Sequence, residues 1–258
     1  MVISKNDLSL LDRFSFEVPP VGIKYYRRRP EGLDRLKEKS AFCEMLKKAQ
    51  NGASFLAEAE DHACEAGLYV LGLAEAPGPY ISGEFGAGLK IFQEPRAAAR
   101  LYHHLPRIRP GVVHYTAFAP LGSLPFDPDV LIILAQTPQT EILLRALTYR
   151  TGGVWTSRFS AAIGCAWIMV YPYLEGKWNV AITGLGHGMK RRGLFPEGRQ
   201  LIAVPFDLLP ALLDNLKEMP WTLPAYEPDG PAFVRSLLDE LGIITETPIQ
   251  EKTGSSPD

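Results

Sequence analysis

The stretch VLIILAQTPQTEILLRAL, residues 130–147, decides the fold class, because an unbroken apolar run meets a proline and then takes up helical spacing. Two other segments follow the same plan, GLKIFQEPRAAARLYHHL at 88–105 and LIAVPFDLLPALLDNL at 201–216. Their likeness is one of pattern rather than of residues. A strand–proline–helix unit used repeatedly predicts an α+β or α/β fold with helices packed against the sheet. Between the first two units, GVVHYTAFAPLGSLPFDPDVLIILAQ (111–136) holds two β-rich runs split by Gly and Pro, as hairpin partners would be. A mixed sheet is therefore expected.

Working outward, LSLLDRF (8–14) predicts a short helix, and VGIKYY (21–26) a strand ended by the basic run Arg27 to Arg29. The segment LDRLKEKSAFCEMLKKAQNG (33–52) has a helical face closed by Asn51-Gly52, with Ser40 as N-cap of a helix restarting at Ala41. TGGVWTSRFSA (151–161) reads as a strand, AIGCAWIMVYPYLEG (162–176) as a buried helix bent or stopped by Pro172, and WNVAITG (178–184) as another strand. Residues 1–243 are expected to form one compact domain, and the polar 244–258 a frayed tail.

With 27 Lys and Arg against 29 Asp and Glu, the chain has no global field to draw it to nucleic acid or anionic lipid. No apolar run reaches membrane-spanning length and the start lacks a secretory signal, so a cytoplasmic protein is expected, with neither nucleic acid nor membrane as partner. Its three cysteines cannot all pair. Metal binding, redox chemistry and plain packing are the uses open to them.

Ser40 precedes Cys43 by three residues, and Asp61 precedes Cys64 by three. Both spacings predict a thiol in the first turn after a capping side chain, and Cys165 follows Ser160 and Gly164 closely. A helix start favours thiolate, hence metal ligation or nucleophilic reactivity. Three thiolates from separate elements would suit an iron–sulfur cluster with one open iron, or a metal completed by histidine or water. The spacing alone, with no CxxC pair, favours ordinary buried cysteines.

A second candidate is GLGHGMKRRG (184–193), which is not a dinucleotide fingerprint and shows no convincing helix after its glycines. Glycines 184, 186 and 188 would let backbone amides approach an anion, with Lys190, Arg191 and Arg192 adding charge, so Gly186, His187 and Lys190 are candidate binding residues; a flexible solvated turn is the other reading. Arg158 joins them as substrate-binding residue, since a guanidinium on a central strand would need a partner that a bound anion could provide. His62 is the local candidate for a base beside Cys64, and also reads as a solvated loop residue.

The chain resembles the domain-of-unknown-function family 169 through VGIKYY, AFCEMLKKAQNG, HACEAGLYVLGL, the 110–147 stretch, SRFSAAIGCA and RQLIAVPFDLLPAL. That resemblance implies a cysteine in the first helix, one opening a CxxGxxxLG element, and one after a serine-containing strand. Cys43, Cys64 and Cys165 fall on those places. Two departures stand out: ACEAG replaces the usual SC at the second site, and TGLGHGMKRRG replaces a PGxGDR-like turn. The resemblance supplies a constellation and no reaction. The expected function is a cysteine-ligated metal protein, with an iron–sulfur cluster as cofactor, that binds or reduces a small anionic molecule at an open metal position. Its partners would be that ligand and a redox protein; a homo-oligomer is left open. The alternative is a metal-free small-ligand module with structural cysteines, or a zinc site, and a thiol enzyme ranks behind both.

Overall fold

A computed structural model of the protein describes residues 8–243. Its framework is a six-stranded sheet of β1 (Val21–Tyr26), β2 (Phe55–Glu58), β3 (Tyr115–Pro120), β4 (Val130–Ala135), β5 (Asn179–Ile182) and β6 (Gln200–Pro205), in the order β2-β3-β1-β4-β6-β5. Helices of the first part of the chain that bear on the site and the sheet are α1 (Phe42–Gln50), α2 (Glu65–Val70), α3 (Pro95–His104), α4 (Thr137–Thr148) and α5 (Leu209–Glu218). The protein is α+β.

The sheet is antiparallel in every ladder, not mixed. Among the described residues parallel pairing survives only as two isolated bridges, Arg35 with Leu56 and Ser40 with His62. Nor do β3 and β4 form a hairpin. β1 lies between them, pairing Ile23 with both Phe118 and Val130, so the Gly- and Pro-rich connection passes over the end of β1. Asp129 fastens that crossing, its backbone N–H bonded to the Ile23 carbonyl and its carboxylate accepting the Tyr25 N–H at 2.8 Å.

Cross-strand partners share a face. Ile23, Phe118 and Phe55 lie in one row, and Leu134, Leu201 and Ala181 in another. Against that face pack Phe42, Met45 and Leu46 of α1 and the buried run Ala166–Val170. The alternating set, Leu131 and Ile133 with Val204 and Ile202, is buried as well. Helix α4 contacts β6 and brings buried Leu143 and Ala146; Asn215 of α5 donates to the Ala146 carbonyl at 2.7 Å. Coverage on both faces explains the unbroken apolar run of β4 without parallel strands.

The strand–proline–helix plan appears at β4–α4 and β6–α5. In the first segment α3 forms but residues 89–92 make no strand, for Leu89 closes a short helix and Lys90 turns left-handed with φ 58°. Residues 33–39 form no helix either: Leu36 N–H bonds Leu56 O and Leu56 N–H bonds Asp34 O, which holds the segment extended along β2. Packing divides the chain into two compact units, Met1–Lys217 and Glu218–Asp258. Within the second lie a 3-10 turn, Pro224–Tyr226, and the helix Gly230–Glu240. The expected tail, 244–258, lies outside the described residues. Among those described, no helix is long and apolar enough to cross a membrane.

Candidate functional site: three thiols at the starts of three elements

Cys43 is the second residue of α1 and is buried. Ala41, not Ser40, stands at the N-cap, and Glu44 reaches back to accept the Ala41 N–H at 2.7 Å. Ser40 is taken up elsewhere: its N–H bonds Asp61 O and its carbonyl accepts Ala63 N–H, while its hydroxyl donates to the Glu38 carbonyl. This bridge lays the start of α1 alongside the chain that leads to Cys64.

Cys64 itself occupies the N-cap position of α2, in extended conformation and partly exposed. The expected cap, Asp61, instead accepts the Glu58 N–H and the Arg35 Nε–H, both at 2.9 Å. Gly67 sets how close the two helix starts come. A Cβ there would stand 3.0 Å from the Phe42 Cβ, 3.7 Å from the Phe42 backbone nitrogen and 3.8 Å from His62 Nδ1.

Cys165 is buried at the entry to a π-helical turn, Ala166–Val170, followed by the short helix Tyr171–Glu175 with Pro172 in its first turn. Just before it Ile163 adopts φ 53°, a left-handed conformation that costs a β-branched residue about 1–3 kcal/mol. Strain of this kind and single π-turns both concentrate at functional sites.

Cys43 and Cys165 belong to one buried cluster, and Cys64 packs against it. Burial pushes Cys43 up to about 11, with the Arg192 guanidinium pulling it down and the Cys64 charge pushing it up further. Burial likewise raises Cys165 well above the usual thiol range, and the Cys43 and Cys64 charges add to it. The helix-start activation expected for all three is thus overturned at Cys43 and Cys165, because desolvation outweighs the dipole of a short helix. The three thiols do not form a finished cage. Among the described residues no group of three or more His, Cys, Asp or Glu side chains is set to hold a metal ion.

The framework around Cys165 is polar and fully used. Asn179 of β5, buried completely, donates to the Arg158 and Trp167 carbonyls and accepts the Arg158 N–H, each at 2.8 Å. Trp167 donates Nε1–H to Ser160, whose hydroxyl donates to the Ala162 carbonyl. The segment 151–161 is therefore not the expected strand; it is held by a side chain. Arg158 is exposed rather than buried on a central strand.

The 184–193 segment also departs from a plain loop, since His187–Arg191 forms a short helix with Gly186 at its N-cap. It lies against the Cys165 entry: the Gly186 Cβ position is 3.7 Å from Gly164 Cα, and the His187 N–H bonds the Ala161 carbonyl. Lys190 pairs with Glu197 at 2.9 Å. Arg192, two positions on, pairs with Glu44 at 3.1 Å and donates to the Gly188 carbonyl. The cation acting on Cys43 is thus Arg192. Its signal in the sequence was the RRG end of the motif together with a glutamate one residue beyond Cys43.

Sequence reasoning missed two tyrosines. Burial raises Tyr102, with the Tyr80, Tyr69 and Cys64 charges adding to it, and raises Tyr80, with the Glu65 and Cys64 charges adding. Their rings meet edge-on at 6.5 Å. His62 is buried and held neutral, its protonation pushed down to about 4 by desolvation despite Asp61 next to it. A groove of about 760 Å³ opens between residues 8–20 and the 121–128 connection, and no cysteine lines it.

With this geometry in place, comparison with known proteins fixes the family. The chain belongs to the domain-of-unknown-function family 169, described as uncharacterised ArCR, whose profile matches residues 9–215. An uncharacterised protein of Methanocaldococcus jannaschii is 25% identical over 221 residues, covering 83% of this chain and 94% of the relative. No solved structure matches. The family 169 match takes in all three cysteines, Arg192 and the whole sheet.

Proposed function

We propose that Cys43, Cys64 and Cys165 hold a metal centre, an iron–sulfur cluster by preference, with one non-sulfur position at which a small anionic molecule is bound or reduced. What supports the reading is that three free thiols from separate elements, each at the start of a helical turn, lie in or against one buried cluster, with the Cys43 and Cys64 charges acting on Cys165. Soft thiolates select iron–sulfur clusters and zinc over hard cations. Crowded, buried thiols are poor acids by themselves, and a cation placed among them reverses that, since a coordinating thiol gives up its proton outright. Arg192 and the backbone around Gly186 and His187 would face the anionic part of a ligand. In this arrangement Lys190 and Arg158 are outer residues. A redox partner protein would deliver the electrons, and the reducing cytoplasm fits three unpaired thiols.

The test is purification without oxygen, followed by a visible spectrum and assays for iron, acid-labile sulfide and zinc. A brown protein that loses most of its iron and sulfide in each of C43A, C64A and C165A supports the reading. A colourless, metal-free preparation rejects it. The second reading then stands, a metal-free module with packed thiols, which the burial of Cys43 and Cys165 favours.

A further inference from the structure

We propose that His62 supplies a nitrogen ligand to the centre held by Cys43, Cys64 and Cys165, filling its non-sulfur position until a small anion displaces it. The inference rests on the metal-site reading and adds an occupant and a mode of ligand entry to it.

The primary observation is an unsatisfied side chain. His62 is 5% exposed, and neither Nδ1 nor Nε2 has a hydrogen-bond partner. Neutral imidazole carries one donor and one acceptor, and buried polar groups of this kind are nearly always paired. Its carboxylate neighbour does not serve, because Asp61 is engaged by Arg35 and by the Glu58 N–H. Gln50, Thr116 and Asn215 also carry unpaired buried atoms. Of the four, only His62 is a metal-ligating type beside a cysteine.

The second observation is direction. His62 (φ −85°, ψ 127°) and Cys64 (φ −137°, ψ 114°) are both extended, and residues two apart in extended chain project to the same side. Ala63 between them is exposed, so that shared side is the inner one. Gly67 supplies the third coordinate. The site of its missing Cβ is 3.8 Å from His62 Nδ1 and 3.7 Å from the Phe42 backbone nitrogen, one residue before Cys43. The imidazole thus stands where the two helix starts converge.

The chemistry follows from charge. Three thiols release their protons to solvent on binding a cation, whereas the neutral imidazole offers a lone pair and releases none. A neutral ligand is the easiest of the four for an anion to displace.

Cobalt(II) added to reduced, metal-free full-length protein tests this, because its visible spectrum reports thiolate number and the nature of the remaining ligand separately. The wild type is expected to show thiolate charge-transfer bands and intense ligand-field bands of a four-coordinate site. In His62→Leu the charge-transfer bands should persist, the ligand-field bands should shift, and affinity should fall at least about tenfold. Metal-free His62→Leu should be no less stable than wild type, since it removes an unpaired polar group; a ring needed only for packing would give the opposite. Identical spectra and affinities for wild type and variant would overturn the inference while leaving the thiol site intact. Absence of charge-transfer bands in the wild type would instead sink the metal reading itself. Should His62→Leu not fold, nitrogen NMR of the wild type with zinc(II) decides the matter: an imidazole nitrogen unmoved by zinc rejects ligation.

Discussion

The Tyr25 hydroxyl donates to the Met169 carbonyl at 2.6 Å, so the central strand β1 is tied directly to the π-turn that follows Cys165. Both residues are buried, and a π-turn leaves carbonyls that ordinary helical bonding does not satisfy. Tyr25→Phe should therefore cost about 1–3 kcal/mol, the penalty of an unpaired buried acceptor. Urea unfolding measures it. If the bond positions Cys165, alkylation of that thiol in the metal-free variant should also accelerate.

Asn179 holds three backbone groups, from Arg158 and Trp167, and the Ser157 hydroxyl donates to it. Asn179→Ala leaves those groups without a partner, at a cost of about 2–4 kcal/mol for several lost bonds. Limited proteolysis should then cut first within residues 151–160, which have no strand pairing to fall back on. Cleavage elsewhere first would show that the segment is held by something other than Asn179.

Gly67→Ala should destabilise the protein, although alanine is the better helix former. Its methyl would press on the Phe42 Cβ at 3.0 Å, and α1 would have to move. A loss of about 1–3 kcal/mol is expected from overpacking, set against about 1 kcal/mol of propensity gain. The same displacement should weaken cobalt(II) binding, because Cys43 moves with α1.

The alkaline limb of stability has a definite sign. An unfolded Cys43 thiol ionises near 9.0 and the folded one only near about 11, so the folded metal-free state keeps protons that the unfolded state gives up. Its stability is complete below about pH 9 and falls as pH rises towards about 11, with Cys165 acting in the same direction. C43A should flatten that fall in thermal melts. Arg192→Gln should steepen it, since the guanidinium is what draws the Cys43 value down. An unchanged alkaline limb in both variants would contradict this.

Where the sequence carried its own punctuation, it was readable. The proline after β4 and the Pro-Phe-Asp turn after β6 announced the strand-to-helix changes that define the α+β class, and the buried helix around Cys165 was equally plain, although Pro172 does not stop it and sits in the first turn of Tyr171–Glu175. Partners supplied from elsewhere in the chain were not. Residues 151–161 are β-like in composition, yet their bonds go to the Asn179 side chain, and residues 33–39 gave up a helical face to lie along β2. The apparent hairpin of β3 and β4 failed because β1, early in the chain, claims both as neighbours. Within the site, capping residues misled: Ser40 and Asp61 are engaged by the chain crossing between them, which moved Cys43 one position and Cys64 three positions towards its helix start. Arg192 was visible as charge but not as the partner of Glu44, a pairing that only the folded chain creates.

The placement of β1 has a bearing on how the nascent chain must be handled. This strand is made well before its two neighbours, which begin only at Tyr115 and Val130, so both of its edges stay bare through a long stretch of synthesis. Lys24 and the arginines at 27–29 are charges of the kind that deter premature cross-chain pairing. Their neutralisation should first be felt as lower yield and inclusion bodies during expression, well before any change in the finished protein.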